Sequence, residues 1–326
     1  MKNADAKKTR ERKILDLIYA DRHIEEIIPS ERPDFILRHR GGGRFGVEIA
    51  ELYHSQTTAR LERIPEYSAE LLSGGSFRHK DDGGQIKVGK VDILTEHNEV
   101  VYSQVDAIIQ DAPSLADCAR NLAARVRTKG EKLGDPPPGL SHTNLVVHDR
   151  TNVLATVSRE QFFPLYFLPE LRTALAATTF REIFFLTKMK GGTGFVPLKT
   201  LLLMAEVYFF NAIYTETGSH RLFAPPKAEL EVFGSCLAHN VKGSVLFREA
   251  SDGTEVIYGD SGFFVARDRS IYLRAFQDGA FPADVRPPES GLASRLGSDF
   301  MDRLAEHRSS NTFVTSLLFP TMGFQS

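Results

Sequence analysis

The stretch PDFILRHRGGGRFGVEIAEL, residues 33–52, carries two competing signals. Gly41, Gly43 and Gly46 spell G-x-G-x-x-G, the fingerprint of a dinucleotide-binding turn. That turn must open a helix whose N-terminus holds the pyrophosphate. Here Phe45, Val47 and Ile49 alternate with Gly46, Glu48 and Ala50, which is strand periodicity. The glycines are therefore read as a turn between two strands, 34–38 and 45–52. The acids carry the other signal. Asp34 begins the first strand and Glu48 lies within the second, so pairing of the strands brings both carboxylates towards one point. Magnesium takes a few carboxylate oxygens and keeps several waters, and can assist phosphodiester hydrolysis. Taken alone, the pair fits an ordinary strand start and an outward Glu better than a metal pair.

The neighbouring segments supply context. Ile14, Leu17, Ile18, Ile24 and Ile28 recur at helical spacing, which predicts a helix over 8–28 ended by Pro29. Residues 54–112 read as an insertion of mixed helical and strand-like pieces. SLADCARNLAARVRTKGEKL, 114–133, is the clearest helix, capped by Ser114, with Leu115, Ala119, Leu122 and Val126 on one face. TNLVVHD, 143–149, and EIFFLT, 182–187, read as buried strands. The order helix, strand, strand, helix, strand predicts an α/β core, a mixed sheet flanked by helices. Further on, an apolar helix over 197–214 starts at Pro197, residues 243–276 read as a β-meander, and the tail from 289 holds one more helix.

Composition narrows the class. Lys+Arg 40 against Asp+Glu 42 gives a formal net charge of −2, so nucleic-acid binding would need a local basic patch. Cys118 and Cys236 form no C-x-x-C, which argues against a disulfide scaffold or a zinc finger. No apolar leader opens the chain, and the greasiest run, 198–214, is interrupted by Lys199, Glu206 and Asn211. A cytoplasmic protein without a membrane span is expected.

Weaker motifs fall away. GGTGFVPLKT, 191–200, lacks the glycine before Lys199 that a phosphate-binding loop requires, and reads as a strand-to-helix connection. Glu51-x-x-His54 has no second such pair to complete a di-iron helix motif.

Asp34 in RPDF, followed by Glu48 in GVEIAEL, resembles the PD-(D/E)xK nuclease superfamily, with its restriction-endonuclease-like fold. There a helix precedes a strand carrying the Asp, the next strand carries Glu-x-Lys, and a helix and a strand follow. The resemblance implies a nuclease domain over 1–190, with 54–112 inserted, and leaves 191–326 as an α+β region for substrate recognition or oligomerisation. It implies a nuclease dependent on Mg2+ or Mn2+, acting on DNA rather than RNA, in restriction or antiviral defence. Asp34 and Glu48 match the metal-binding acids, with the Ile49 carbonyl as a third ligand. Glu25 matches the accessory acid that some members carry on the first helix.

One position departs from the pattern: Ala50 stands where the motif has Lys. Some members supply that cation from the following helix, which here carries Arg125, Lys129 and Lys132 on one side. Lys129 is the first candidate and Lys132 the second. Arg38, Arg40 and Arg44 around the glycines, Arg78, His79 and Lys80 in the insertion, and Arg125 are candidates for backbone phosphates. The alternative is an inactive nuclease-like fold that serves as a binding or assembly subunit, as a homo-oligomer or with a partner protein.

Overall fold

The computed structural model describes residues 2–19, 24–40, 42–110, 113–134, 137–158, 162, 168–206, 245–258, 261–266, 271–275, 302–303 and 305–306. In chain order, α1 (Lys2–Tyr19) leads into β1 (Ile24–Pro29), β2 (Phe35–His39) and β3 (Arg44–Leu52). The insertion follows, with α2 (Gln56–Arg63), α3 (Tyr67–Leu72), α4 (Asp82–Gln85), β4 (Ile86–Leu94) and β5 (Val100–Gln110). Then come α5 (Leu115–Leu133), β6 (Thr143–Asp149), α6 (Pro169–Ala177), β7 (Ile183–Met189) and β8 (Gly192–Pro197). A helix over 198–206, α7, and β9 (Val245–Ala250), β10 (Gly253–Tyr258), β11 (Ser261–Ala266) and β12 (Ile271–Ala275) complete the described elements of length.

The central sheet is mixed, in the order β1-β2-β3-β6-β7-β8. β1, β2 and β3 form an antiparallel meander, β3 pairs parallel with β6, β6 parallel with β7, and β8 returns antiparallel. A parallel step from β3 to β6 needs a crossover, and α5 lies within it. The strands at the centre are buried on both faces, as parallel strands covered by helices are. Alternate residues explain how. Phe45, Val47 and Ile49 of β3, Val146 of β6, and Phe184 and Leu186 of β7 pack with Ile14, Leu15, Ile18 and Tyr19 of α1. Ala50 and Leu52, Leu145 and Val147, and Ile183 and Phe185 pack on the other face with Ala119, Leu122 and Val126 of α5. Ala50 thus lies under α5, where its small side chain allows close approach.

α5 forms as its sequence dictates. Ser114 Oγ accepts the Asp117 N–H, satisfying one orphan donor of the first turn. β6 matches the expected 143–149 residue for residue.

Three expectations are corrected. The helix predicted over 8–28 is described through Tyr19, and Ile24–Pro29 is a strand, not its continuation. Isoleucines at 24, 27 and 28 satisfy helical spacing, but β-branched side chains suit a strand equally, and β2 offers a ladder of backbone partners. Gly192–Pro197 is not a connection but strand β8, so the central sheet continues past residue 190. The helix expected over 197–214 begins at 198, after Pro197 closes β8, and residues 207–214 lie outside the described residues.

The meander over 243–276 is present as the antiparallel sheet β12-β11-β10-β9. Its apolar side chains Val245, Phe247, Val256, Tyr258, Phe263 and Val265 join the same core as α5. The tail helix lies mostly outside the described residues; 302, 303, 305 and 306 are helical. The insertion has its own small core of Tyr67, Leu71 and Ile86, locked by a buried Asp82. Asp82 accepts from Thr57 (2.8 Å), Arg60 and Tyr67 Oη (2.5 Å). β4 and β5 extend from it as a two-stranded ribbon whose Ile93, Leu94, Val100, Val101 and Tyr102 are exposed.

Two glycines of the opening stretch have distinct duties. Gly42, at φ +91°, makes the β2–β3 turn, a conformation L side chains rarely adopt. Gly46 lies within β3, where a Cβ would stand 2.5 Å from Pro33 Cγ and 3.0 Å from Thr143 Oγ1. It is a close-approach glycine that seats the segment leading into Asp34.

Candidate functional site

The β2–β3 ladder ends at Phe35↔Val47, so one step further Asp34 faces Glu48. Phe35 and Val47 point to the α1 face, and Glu48 meets Lys129 of α5 on the other, while Asp34 lies just beyond the ladder within reach of Lys8 of α1. Asp34 is buried, and its Oδ2 accepts the Ile49 N–H at 2.8 Å. The carboxylate therefore takes over a β3 backbone donor where β2 has run out.

Glu48 and Ile49 receive a cation from α5. Lys129 Nζ lies 2.5 Å from Glu48 Oε1 and 3.3 Å from the Ile49 carbonyl. The lysine expected to replace the missing motif residue is thus in contact with two of the three groups that the resemblance assigns to a metal, Glu48 and the Ile49 carbonyl. Lys132 is exposed one turn further on.

Glu25 does not join this cluster in the described contacts. It lies on edge strand β1, half exposed, 3.6 Å from Arg38, because the helix on which its assignment rested ends before it. The first helix supplies another acid, which sequence reasoning missed. Glu11 is buried, with Lys7 Nζ at 3.3 Å and Lys8 Nζ at 3.5 Å. Lys8 Nζ in turn lies 3.4 Å from Asp34 Oδ1 and donates to the Ser30 carbonyl at 2.8 Å. Burial alone would lower the Lys7 pKa, but Glu11, Asp34 and Glu48 together hold it above its ordinary value. Lys7 thus stands in the field of all three acids. The signal was available: Glu11 stands three residues before Ile14 and seven before Ile18, on the buried face.

Asp34, Glu48 and the Ile49 carbonyl are hard oxygen donors of the kind magnesium takes. Glu11 Oε2 makes no hydrogen bond but lies in ion-pair range of Lys8, so it is not part of this donor set. The donor set therefore fits a divalent ion that keeps several waters. Among the described residues no group of three or more His, Cys, Asp or Glu side chains is gathered as a metal cage.

The basic candidates divide. Arg38 is committed to Glu25 and Glu26, and Arg78 to Glu70 and the face of Tyr67. Arg40, Arg44, His79 and Lys80 are exposed, and Arg125 is half-buried.

The other motifs are structural here. Glu51 lies on a strand and pairs with Arg10 and Arg63. Lys199 is buried, donating to the Thr178 and Phe180 carbonyls at 3.0 and 2.5 Å. Burial pushes the Cys118 thiol up to about 11, which makes it a poor nucleophile. No described helix is long and apolar enough to cross a membrane. No protein-family model, curated protein or solved structure matches the chain.

Proposed function

We propose that the chain is a metal-dependent nuclease of the PD-(D/E)xK type, with a restriction-endonuclease-like core. The observation that carries this is the meeting of Lys129 with Glu48 and the Ile49 carbonyl, beside an Asp34 that holds the Ile49 N–H. The order α1, Asp34 strand, Glu48 strand, α5, β6 supports the same reading. The site and not the fold carries the function, since one fold hosts many chemistries.

Asp34 and Glu48 would hold Mg2+ or Mn2+, with the Ile49 carbonyl as a third ligand. When bound, the ion supplies positive charge to the phosphate and lowers the pKa of water. Lys129 swings off Glu48 on its flexible stem and sets its ammonium against a phosphate oxygen or the attacking water. Glu11, paired with Lys7 and Lys8, adds negative charge that holds Lys8 against Asp34. DNA is the preferred substrate, and restriction or antiviral defence the setting, by family analogy. The test is incubation with plasmid, linear DNA and RNA in Mg2+ or Mn2+. Cleavage that is lost in Asp34→Ala and Glu48→Ala supports the assignment; unchanged cleavage in both ends it.

One observation favours a second reading, a non-catalytic binding or assembly subunit. The Lys129 ammonium already covers two of the three donors the ion would use. In that reading Lys129 is a tethered substitute for the metal. A Mg2+-dependent rise in Tm that disappears in Glu48→Ala supports the nuclease, and no rise supports the scaffold.

A further inference from the structure

Beside the acid pair, the end of β3, the 53–55 turn, α2 and one side of α5 enclose an open cleft of about 450 Å³. His54, Gln56, Arg63, Asn121, Arg125 and Thr128 supply its polar wall, and no Asp or Glu lines it. This is unusual beside a site built on carboxylates, and it makes the cleft a place for negative charge.

Two of its polar groups are unspent. Half-buried Arg125 has no ion-pair or hydrogen-bond partner among the described residues. The buried Nδ1 of His54 has no hydrogen-bond partner. The other groups are held in position. Asn121 Nδ2 donates to the His54 carbonyl at 3.2 Å. Arg63 is fixed by Glu51 Oε2 at 2.8 Å and lies over the Tyr53 ring, 4.8 Å from its centroid. α2 also begins in the wall, at Ser55 and Gln56, so its positive dipole end adds to the field.

The cleft and the acids are neighbours. Arg125 precedes Lys129 by four residues, just over one turn of α5 or about 6 Å along its axis. Leu52, in the cleft wall, follows Glu48 by four residues on the same face of β3.

We propose that this cleft binds one phosphate-bearing nucleotide of a single nucleic-acid strand, next to the phosphate that meets Asp34, Glu48 and Lys129. This rests on the nuclease reading for the position of that scissile phosphate. The volume lies in the range of small-molecule sites, roughly 300–1,000 Å³, enough for a nucleotide and not for a duplex. Arg125 forks onto the phosphate, because a guanidinium matches its oxygens in pairs. His54, whose carbonyl is held by Asn121, lines the pocket beside that phosphate.

The test is calorimetric binding to the full chain in EDTA, with deoxythymidine 5′-monophosphate, thymidine and inorganic phosphate as probes. The monophosphate binds, thymidine does not, and inorganic phosphate binds at least tenfold more weakly than the nucleotide. Arg125→Gln weakens the nucleotide by at least tenfold and His54→Gln by several-fold. Arg12→Gln, in an exposed pair with Asp16 on α1, leaves binding unchanged and confirms that the loss is local. Absence of monophosphate binding, binding that survives both cleft substitutions, or equal affinity for inorganic phosphate overturns the proposal. A chain that binds the nucleotide through Arg125 yet cuts nothing in Mg2+ fails the nuclease reading alone. One that cuts in an Asp34-dependent way without binding the nucleotide fails this proposal alone.

Discussion

Glu48 and Glu182 sit almost in the same row of the central sheet: Glu48 pairs with Leu145, which pairs with Ile183. Their surroundings could hardly differ more. Glu182 is fully buried, and it accepts the N–H groups of Ile183, Lys199 and Thr200 and the Thr200 hydroxyl. It caps the start of α7, and burial raises its pKa against the pull of those donors. Glu48 is partly open to water and meets one ammonium on a flexible stem. A carboxylate saturated by donors fixed to the backbone holds a fold together. A carboxylate answered by a cation that can leave is available for chemistry.

That contrast is exposed to experiment. Glu182→Ala carries the largest expected effect. It orphans several buried donors at about 1–3 kcal/mol each, so urea denaturation reports a loss above about 3 kcal/mol. A loss below about 1 kcal/mol would break the distinction.

Asp82 in the insertion belongs with Glu182. Burial opposes its charge, but Tyr67, Arg60 and Thr57 hold its carboxyl below the ordinary value of 3.8. A depressed folded pKa means stability present above pH 3.8 and lost as pH falls through the folded value. Asp82→Asn should cost about 1–3 kcal/mol at neutral pH, read by hydrogen exchange in α2 and α3. The gap to wild type should close below pH 3.8, and a gap constant with pH refutes the linkage.

Glu48→Gln sits on the other side of the comparison. Its pair with Lys129 is mostly shielded, at 22% and 15% exposure, but Gln keeps an oxygen for the ammonium, so stability falls by about 1–2 kcal/mol while Mg2+-dependent cleavage is lost. A variant that unfolds would make Glu48 another Glu182.

The smallest effect separates two acids of the N-terminal region. Glu25→Gln should stay within about 0.5 kcal/mol of wild type and keep its cleavage rate, because the side chain is half exposed on an edge strand. Glu11→Gln should slow cleavage. Equal rates for the two variants would remove Glu11 from the site.

The sequence carried the central elements well, because their signals were redundant. α5 has a cap, an apolar face and a terminating glycine; β6 is an uninterrupted buried run. The Ile24–Pro29 segment failed because its isoleucines fit both periods and only a tertiary partner, β2, decides between them. Lys129 was reachable by asking which helix could replace a missing lysine, since 81 residues separate it from Glu48. Glu11 was overlooked because the helix was drawn through residues 24–28, which lie in a strand, and the acid was sought there. The cleft was the least legible part, as its wall joins β3, α2 and α5 across the insertion.

Gly46 has a consequence beyond its own strand. Its missing Cβ is filled by the ring of Pro33, and Pro33 delivers Asp34 to the end of the ladder. In evolutionary terms, positions 33 and 46 occupy a single shared volume. Any lineage that enlarges one must shrink the other or give up the acid between them, so the two should drift together.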